Sequence, residues 1–267
     1  MEDILEIYFA SMNGGPGAYL KPYLAGVYTR PYVMQDMGTK NVNRVNMLES
    51  FYYVKPWQIE LLPELKSFML DSGAFTFMSG NGGDVDFEDY TREYARFINE
   101  HNINLFFELD IDSVVSWDRY LYLRKLLEDL TGKDPIPVFH KSRGKEWFQQ
   151  AVQEHDYVAV GGIVTGEIKR REFPYLKWFI DTAHKAGAKI HGLGFTNLTW
   201  LHKLRWDSVD SSSWLYGNRS GVVYQFDGKT IKKHTGPEGA RLKSREVAIH
   251  NFNEWVKFGE YMERAYA

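Results

Sequence analysis

Short apolar runs that end in polar residues alternate, along this chain, with longer segments whose apolar positions recur at helical spacing. Residues 4–11 (ILEIYFAS) read as a first strand, and 66–73 (KSFMLDSG) as a second that ends in turn residues. Residues 87–102 (FEDYTREYARFINEHN) put aromatic and aliphatic side chains on one helical face and charges on the other. The alternation then continues as strand 104–112, helix 116–130, strand 135–140, helix 144–155 and strand 157–162. Helix 175–187 follows, closing on Gly187, then strand 188–194, a short helix 197–204 and strand 207–211. Residues 12–66 show no clear period; 13–17 (NGGPG) reads as a turn-rich loop and 44–62 is expected to hold a helix.

Seven strands separated by helices imply parallel βαβ units, and their number favours a barrel over a doubly wound sheet. The expected fold is α/β, a (β/α)8 TIM-like barrel forming one domain over 1–267. Residues 217–267 are expected as an appendage: a β-hairpin over 222–234 turning at Asp227–Gly228, then a terminal helix over 243–265 on the barrel's outside or bottom. Polar residues gather where strands end: Asp71, Asp110, Asp112, His140, Gly161, Gly162, His191 and Asp210. In a barrel those ends share one mouth, which is where barrel enzymes carry their chemistry.

Composition narrows the chemistry. The 267 residues include no cysteine, which removes disulfides, thiolate nucleophiles, iron–sulfur clusters and Cys-ligated zinc. A net charge of −3 argues against an overall basic coat and leaves room for a local basic face. Aromatics are high at 16%; most are expected in the core, and a surplus also suits stacking on a planar ligand. The N-terminal MEDILEIYFA is acidic with a short apolar run, unlike a signal peptide, and no run is long enough for a membrane span. A soluble, cytoplasmic protein is expected.

Three acids, Glu108, Asp110 and Asp112, alternate in FELDID, so a strand would aim all three at one face. Acids on one face of a buried strand need cations or the donor groups of a ligand. Asp71 in LDSGAF stands where an aspartate also caps the following turn, so a structural and a chemical role are both open. His140 and His191 come from separate strands with no HxH or HxxxH pairing, and the metal reading is the weaker one. The serines of VDSSSW lack a GxSxG elbow, and no P-loop or GxGxxG occurs.

Five short segments, in order, resemble motifs of the queuine/archaeosine tRNA-ribosyltransferase (tRNA-guanine transglycosylase) superfamily. DSGAF (71–75) is similar to its DSGGFQ element, and FELDID stands where its third strand ends in a base-reading aspartate. VGGIVTGE (160–167) resembles GGLAVGE, IHGLGFTNLTWL (190–201) resembles LMGVGTPEDL, and DSVDSSSWLYGNRSG (207–221) resembles DLFDCVLPTRSGR. The family's tRNA enzymes add a zinc subdomain built on cysteines, which this chain cannot form. It therefore resembles most the short zinc-free phage and bacterial deazaguanine DNA transglycosylases.

That resemblance implies base exchange: guanine in DNA replaced by a 7-deazaguanine such as 7-cyano-7-deazaguanine, with no cofactor and no metal. It implies Asp210 as the nucleophile forming a covalent glycosyl intermediate, and Asp71 as the acid/base. Asp110, or Asp112, would accept from the base edge, with Gly161 and Gly162 close to its plane and His140 and His191 as further contacts. Phe75, Phe195 and Trp214 would stack or wedge where the nucleotide leaves the duplex. Arg219, Lys229, Lys232, Lys233, Arg241, Lys243 and Arg245 form a basic sector that reads as a phosphate track or as an ordinary solvated face. The alternatives are the same chemistry on tRNA, and a non-catalytic barrel that binds a purine or nucleic acid.

Overall fold

The computed structural model describes residues 5–12, 18–29, 43–73, 76, 85–235 and 242–266, without the side chains of 218–220 and 266. The NGGPG loop, Phe75 and Arg241 lie outside the described residues. Eight strands belong to one sheet: β1 (Glu6–Ala10), β2 (Asn46–Ser50), β3 (Ser67–Asp71), β4 (Leu105–Phe106), β5 (Val138–Phe139), β6 (Tyr157–Val160), β7 (Lys189–Gly192) and β8 (Ser208–Ser211). A separate hairpin pairs β9 (Val222–Phe226) antiparallel with β10 (Ile231–Thr235). The described helices are α1 (Leu20–Leu24), α2 (Pro56–Ile59), α3 (Phe87–Glu100), α4 (Trp117–Thr131), α5 (Gly144–Glu154), α6 (Leu176–Ala186), α7 (Leu198–Leu201), α8 (Ser213–Ser220) and α9 (Ser244–Tyr266). Strands β1 and β8, β3 and β4, β5 and β6, and β6 and β7 pair in parallel, so the fold is α/β with a parallel sheet.

The chain packs as two compact units, Met1–Met47 with Leu61–Ser67 and Gly194–Ala267, and Leu48–Glu60 with Phe68–Leu193. In the first unit β1 and β8 pair from Glu6↔Ser208 to Phe9↔Ser211. Tyr19, Trp214 and Phe252 form an aromatic nest with ring centroids 4.3–5.1 Å apart. The terminal helix α9 does not merely cover a surface. His250, Asn251, Asn253 and Glu254 are buried in it, and three of them finish the edge of β9. Asn251 Oδ1 accepts from Tyr224 N at 2.8 Å, Glu254 Oε2 from Phe226 N at 2.8 Å, and His250 Nε2 lies 2.8 Å from Tyr224 O. An open strand edge is thereby satisfied by helix side chains rather than by another strand.

In the second unit β2 joins β3 through Phe51 N–H donating to Asp71 O at 2.8 Å. A parallel bridge, Phe107↔Ile136, links the chain beyond β4 to the chain before β5. Helix α3 starts on Asp86, whose carboxylate takes the N–H groups of Glu88 and Asp89, and α4 starts on Ser116. Helix α6 stops at Gly187 with φ +83°, a left-handed conformation that any side chain would strain. Leu70, Tyr94, Ile98, Phe106, Leu123 and Leu127 form the core beneath these helices.

Two expectations are corrected here. Residues 44–62 hold a strand, β2, as well as the short α2, which among the described residues adds an eighth strand to the seven read along the sequence. β2 is buried at four successive positions, and such a short, doubly buried run has no alternation to read. The strand expected over 104–112 ends at Phe106, with Phe107 only bridged. Glu108 N–H still donates to Ile136 O at 3.1 Å, but Ile111 N–H donates to Leu109 O at 3.0 Å, so Asp110 and Asp112 leave the sheet and turn. Their common direction is set by a cation, not by strand alternation.

Candidate functional site

That cation is Arg143. It follows the strand end at His140 by three residues and precedes α5, and its side chain is fully buried. Nη1 donates to Glu108 Oε1 at 2.5 Å and to the Tyr120 hydroxyl at 3.0 Å. Nη2 donates to Asp112 Oδ1 at 2.8 Å and to Asp110 Oδ1 at 3.2 Å. The guanidinium also lies over the rings of Tyr120 (4.5 Å), Trp147 (4.7 Å) and Trp117 (5.9 Å), supplied by α4 and α5. Burial opposes its charge, but Glu108, Tyr120, Asp112 and Asp110 outweigh that and hold its pKa above the usual arginine value.

Glu108 is the anchor. It is 0% exposed and accepts from Arg143, from Val138 N–H at 2.9 Å and from the Tyr120 hydroxyl at 2.6 Å. With so many donors on its two oxygens it holds the frame rather than a ligand. Asp110 and Asp112, by contrast, keep 19% and 12% of their side chains exposed.

His140 adds the second cation. Its Nε2 lies 2.6 Å from Asp110 Oδ2 and its Nδ1 lies 2.8 Å from Glu167 Oε2. A neutral imidazole has one donor nitrogen and could satisfy only one of these carboxylates. Burial favours the neutral ring, but hydrogen bonding and charge from Asp110, then Glu167, outweigh it and raise the pKa to about 9. Burial likewise pushes the Asp110 carboxyl up, against the pull of His140 and Arg143. Glu167 is fixed in turn by Lys141 N–H at 2.5 Å.

The two glycines of VGGIVTGE make room for this pair. A methyl on Gly161 would lie 2.8 Å from His140 Nε2, and one on Gly162 would lie 2.5 Å from Glu167 Oε2. Gly162 also has φ +77°, which disfavours any side chain. The space that a Cβ would take at Gly161 and Gly162 is filled by His140 and Glu167. Also in this unit, Asp71 ends β3 with Oδ2 taking Gly73 N–H at 3.2 Å, and His191 is fully buried with its ring 5.4 Å from that of Phe107.

Asp210 belongs to the first unit. It sits on β8, 7% exposed, and its Oδ1 accepts from Gly194 N–H at 2.5 Å. Asp207, three residues earlier, uses its carbonyl to hold Glu6 N–H at 2.9 Å. The serines beyond Asp210 bond one another and their neighbours: Ser211 Oγ accepts from Ser213 N–H at 3.1 Å, and Ser213 Oγ lies 3.0 Å from Thr196 Oγ1. Phe195 and Trp214 are fully buried core residues, so neither reaches a ligand as a wedge. Trp214 instead donates its indole N–H to Ala10 O at 3.2 Å.

The basic sector divides. Lys232 pairs with Asp227 at 3.0 Å and Lys243 with Glu246 at 3.1 Å, while Lys229 and Arg245 are exposed. Lys233 stands over the ring of Tyr216 at 5.7 Å. The side chain of Arg219 lies outside the described residues.

The structure thus brings together Asp110, Asp112, His140, Gly161 and Gly162, and adds Arg143, Glu108 and Glu167. Arg143 gave no signal in the sequence, since an arginine in HKSRGK reads as a solvated loop residue. Glu167 lay within a quoted motif and Glu108 within FELDID; their partners were not legible. What the cluster offers is two partly exposed carboxylates, Asp110 held by His140 and Arg143 and Asp112 by Arg143, as acceptors for adjacent N–H groups. Among the described residues no three His, Asp or Glu side chains are set to hold a metal ion. Nor is any described helix long and apolar enough to cross a membrane.

No family model and no curated protein matches the sequence. Solved structures that match include the carboxyl transferase domain of Rhizobium etli pyruvate carboxylase with 3-hydroxypyruvate, at 12% identity and a TM-score of 0.47, over 99% of this chain and 48% of that one. The same domain with pyruvate matches at 13% identity and a TM-score of 0.47, over 98% and 49%. The chain spans about half the length of those proteins. At that identity and score no residue role is transferred.

Proposed function

We propose that this protein is a base-exchange transglycosylase that replaces guanine in DNA with a 7-deazaguanine. The observation that carries the reading is Asp110, clamped between His140 and Arg143 with Asp112 on the same guanidinium. Two fixed acceptors suit the ring N–H and amino group along one edge of a guanine-type base. The reading includes a TIM-like barrel, supported by eight strands of one sheet alternating with helices.

In this reading the Asp210 carboxylate attacks C1′ of the target nucleotide and the bond from C1′ to the base nitrogen breaks. Asp71 supplies the proton that the departing guanine takes. The incoming base returns a proton to Asp71, its nitrogen attacks C1′, and the bond to Asp210 breaks. The sugar–phosphate chain stays intact and no electrons are exchanged. Gly194 N–H on Asp210 Oδ1 fixes the carboxylate's orientation without neutralising it.

Labelled 7-cyano-7-deazaguanine incubated with the protein and either duplex DNA or tRNA tests the reading. Label entering DNA, and lost with Asp210→Asn, is the expected result. Label entering only tRNA replaces the substrate; label entering neither, with guanine still bound, favours the non-catalytic barrel.

A further inference from the structure

Two residues past Asp210, within the same unit, the structure opens a cleft of about 580 Å³ lined by Ser11, Ser212, Ser213, Tyr216, Tyr224 and Lys233, with Leu215. Among the described residues its lining carries one cation, three serine hydroxyls and two phenols, and no carboxylate. Lys233 projects from β10, whose pairing with β9 places it opposite Tyr224. Tyr224 in turn bonds to Ser213 O through its hydroxyl at 3.2 Å. Tyr216 is 60% exposed, and Lys233 stands over its face.

A small apolar ligand would find too many hydroxyls here, and a cationic one would meet Lys233. An anion flanked by something flat or sugar-like meets neither penalty. Hydroxyls and lysine are phosphate donors, and an exposed tyrosine face takes a base or a sugar ring.

We propose that this cleft holds the sugar–phosphate backbone of the DNA strand next to the reacting nucleotide, with Lys233 and the serines on the phosphate and Tyr216 against the neighbouring base. The proposal rests on the base-exchange reading for the identity of the strand. It explains why the hydroxyl-rich run directly follows Asp210: a carboxylate that attacks C1′ needs the flanking phosphate held still.

Fluorescently labelled single-stranded DNA, a matching strand with abasic tetrahydrofuran residues, and dGMP serve as probes, titrated across a salt series. Lys233→Gln is expected to weaken both strands about five- to tenfold, and to lower the salt slope by roughly 0.7, one phosphate's worth on a single strand. Tyr216→Ala should weaken the normal strand and spare the abasic one, with Tyr216→Phe restoring binding. Unchanged strand affinity and slope in Lys233→Gln, with base exchange intact, would overturn the cleft and leave the base-exchange reading standing. Loss of dGMP binding alone would make it a mononucleotide site and overturn the proposal. Loss of strand binding in a protein that exchanges no base would support the cleft and sink the base-exchange reading instead.

Discussion

His140 Nε2 lies 2.6 Å from Asp110 Oδ2, with Glu167 on the other ring nitrogen at 2.8 Å. Two carboxylates on one imidazole require a proton on both nitrogens, and that requirement has a pH signature. The ring's pKa is raised from 6.5 to about 9, so its stabilising contribution is complete below about pH 6.5 and lost as pH rises through about 9. Chemical denaturation from pH 6 to 9.5 should show a decline of no more than ~3 kcal/mol that His140→Gln abolishes. An imidazole signal that titrates near 6.5 in NMR would contradict the bridge.

Arg143 serves three carboxylates and stacks on the rings of α4 and α5. Arg143→Ala removes the charge opposite Glu108 Oε1 while Arg124 stays 3.7 Å from Oε2, so it should cost less in urea unfolding than the roughly 3–5 kcal/mol of a fully unpaired buried charge. Arg143→Lys keeps the charge but cannot fork between Glu108 and the aspartates, so stability should recover more than base affinity. Equal recovery of both would remove Arg143 as the residue that aims Asp110 and Asp112.

Gly161→Ala places a methyl 2.8 Å from His140 Nε2 and 2.9 Å from Val138 Cγ1. The ring must move, at about 1–3 kcal/mol in stability, and its pKa should fall towards the ordinary value. Calorimetry and NMR titration read the two effects separately. A stable Gly161→Ala protein with an unshifted histidine would show that the contact is not tight.

Asp210→Asn preserves shape and an acceptor for Gly194 N–H, so its unfolding midpoint should move little. Base exchange should drop by at least about 10³-fold, because an amide is no nucleophile. Exchange at the full rate in this variant would exclude Asp210 from the chemistry.

Much of the fold is local and therefore legible. The helical faces of α3, α4 and α6, the stop at Gly187 and the turn at Asp227–Gly228 all follow from spacing and from backbone preferences within a few residues. Strand β2 was not legible, because burial on both faces erases the alternation that marks a strand. Helix α9 was legible as a helix, but its buried His250, Asn251 and Glu254 acquire meaning only from the open edge of β9.

The same boundary runs through the candidate site. From sequence alone came the acids of FELDID, the strand-end histidine, the paired glycines and Asp210, because residue type and position at a strand end limit what each can do. Only the tertiary structure decided that Arg143 gathers Glu108, Asp110 and Asp112, and that His140 joins Asp110 to Glu167 across 27 to 30 residues of chain. Charges that far apart in sequence meet only once packing has removed the water between them. Until then an arginine in a polar loop and three acids after a strand are ordinary solvated residues.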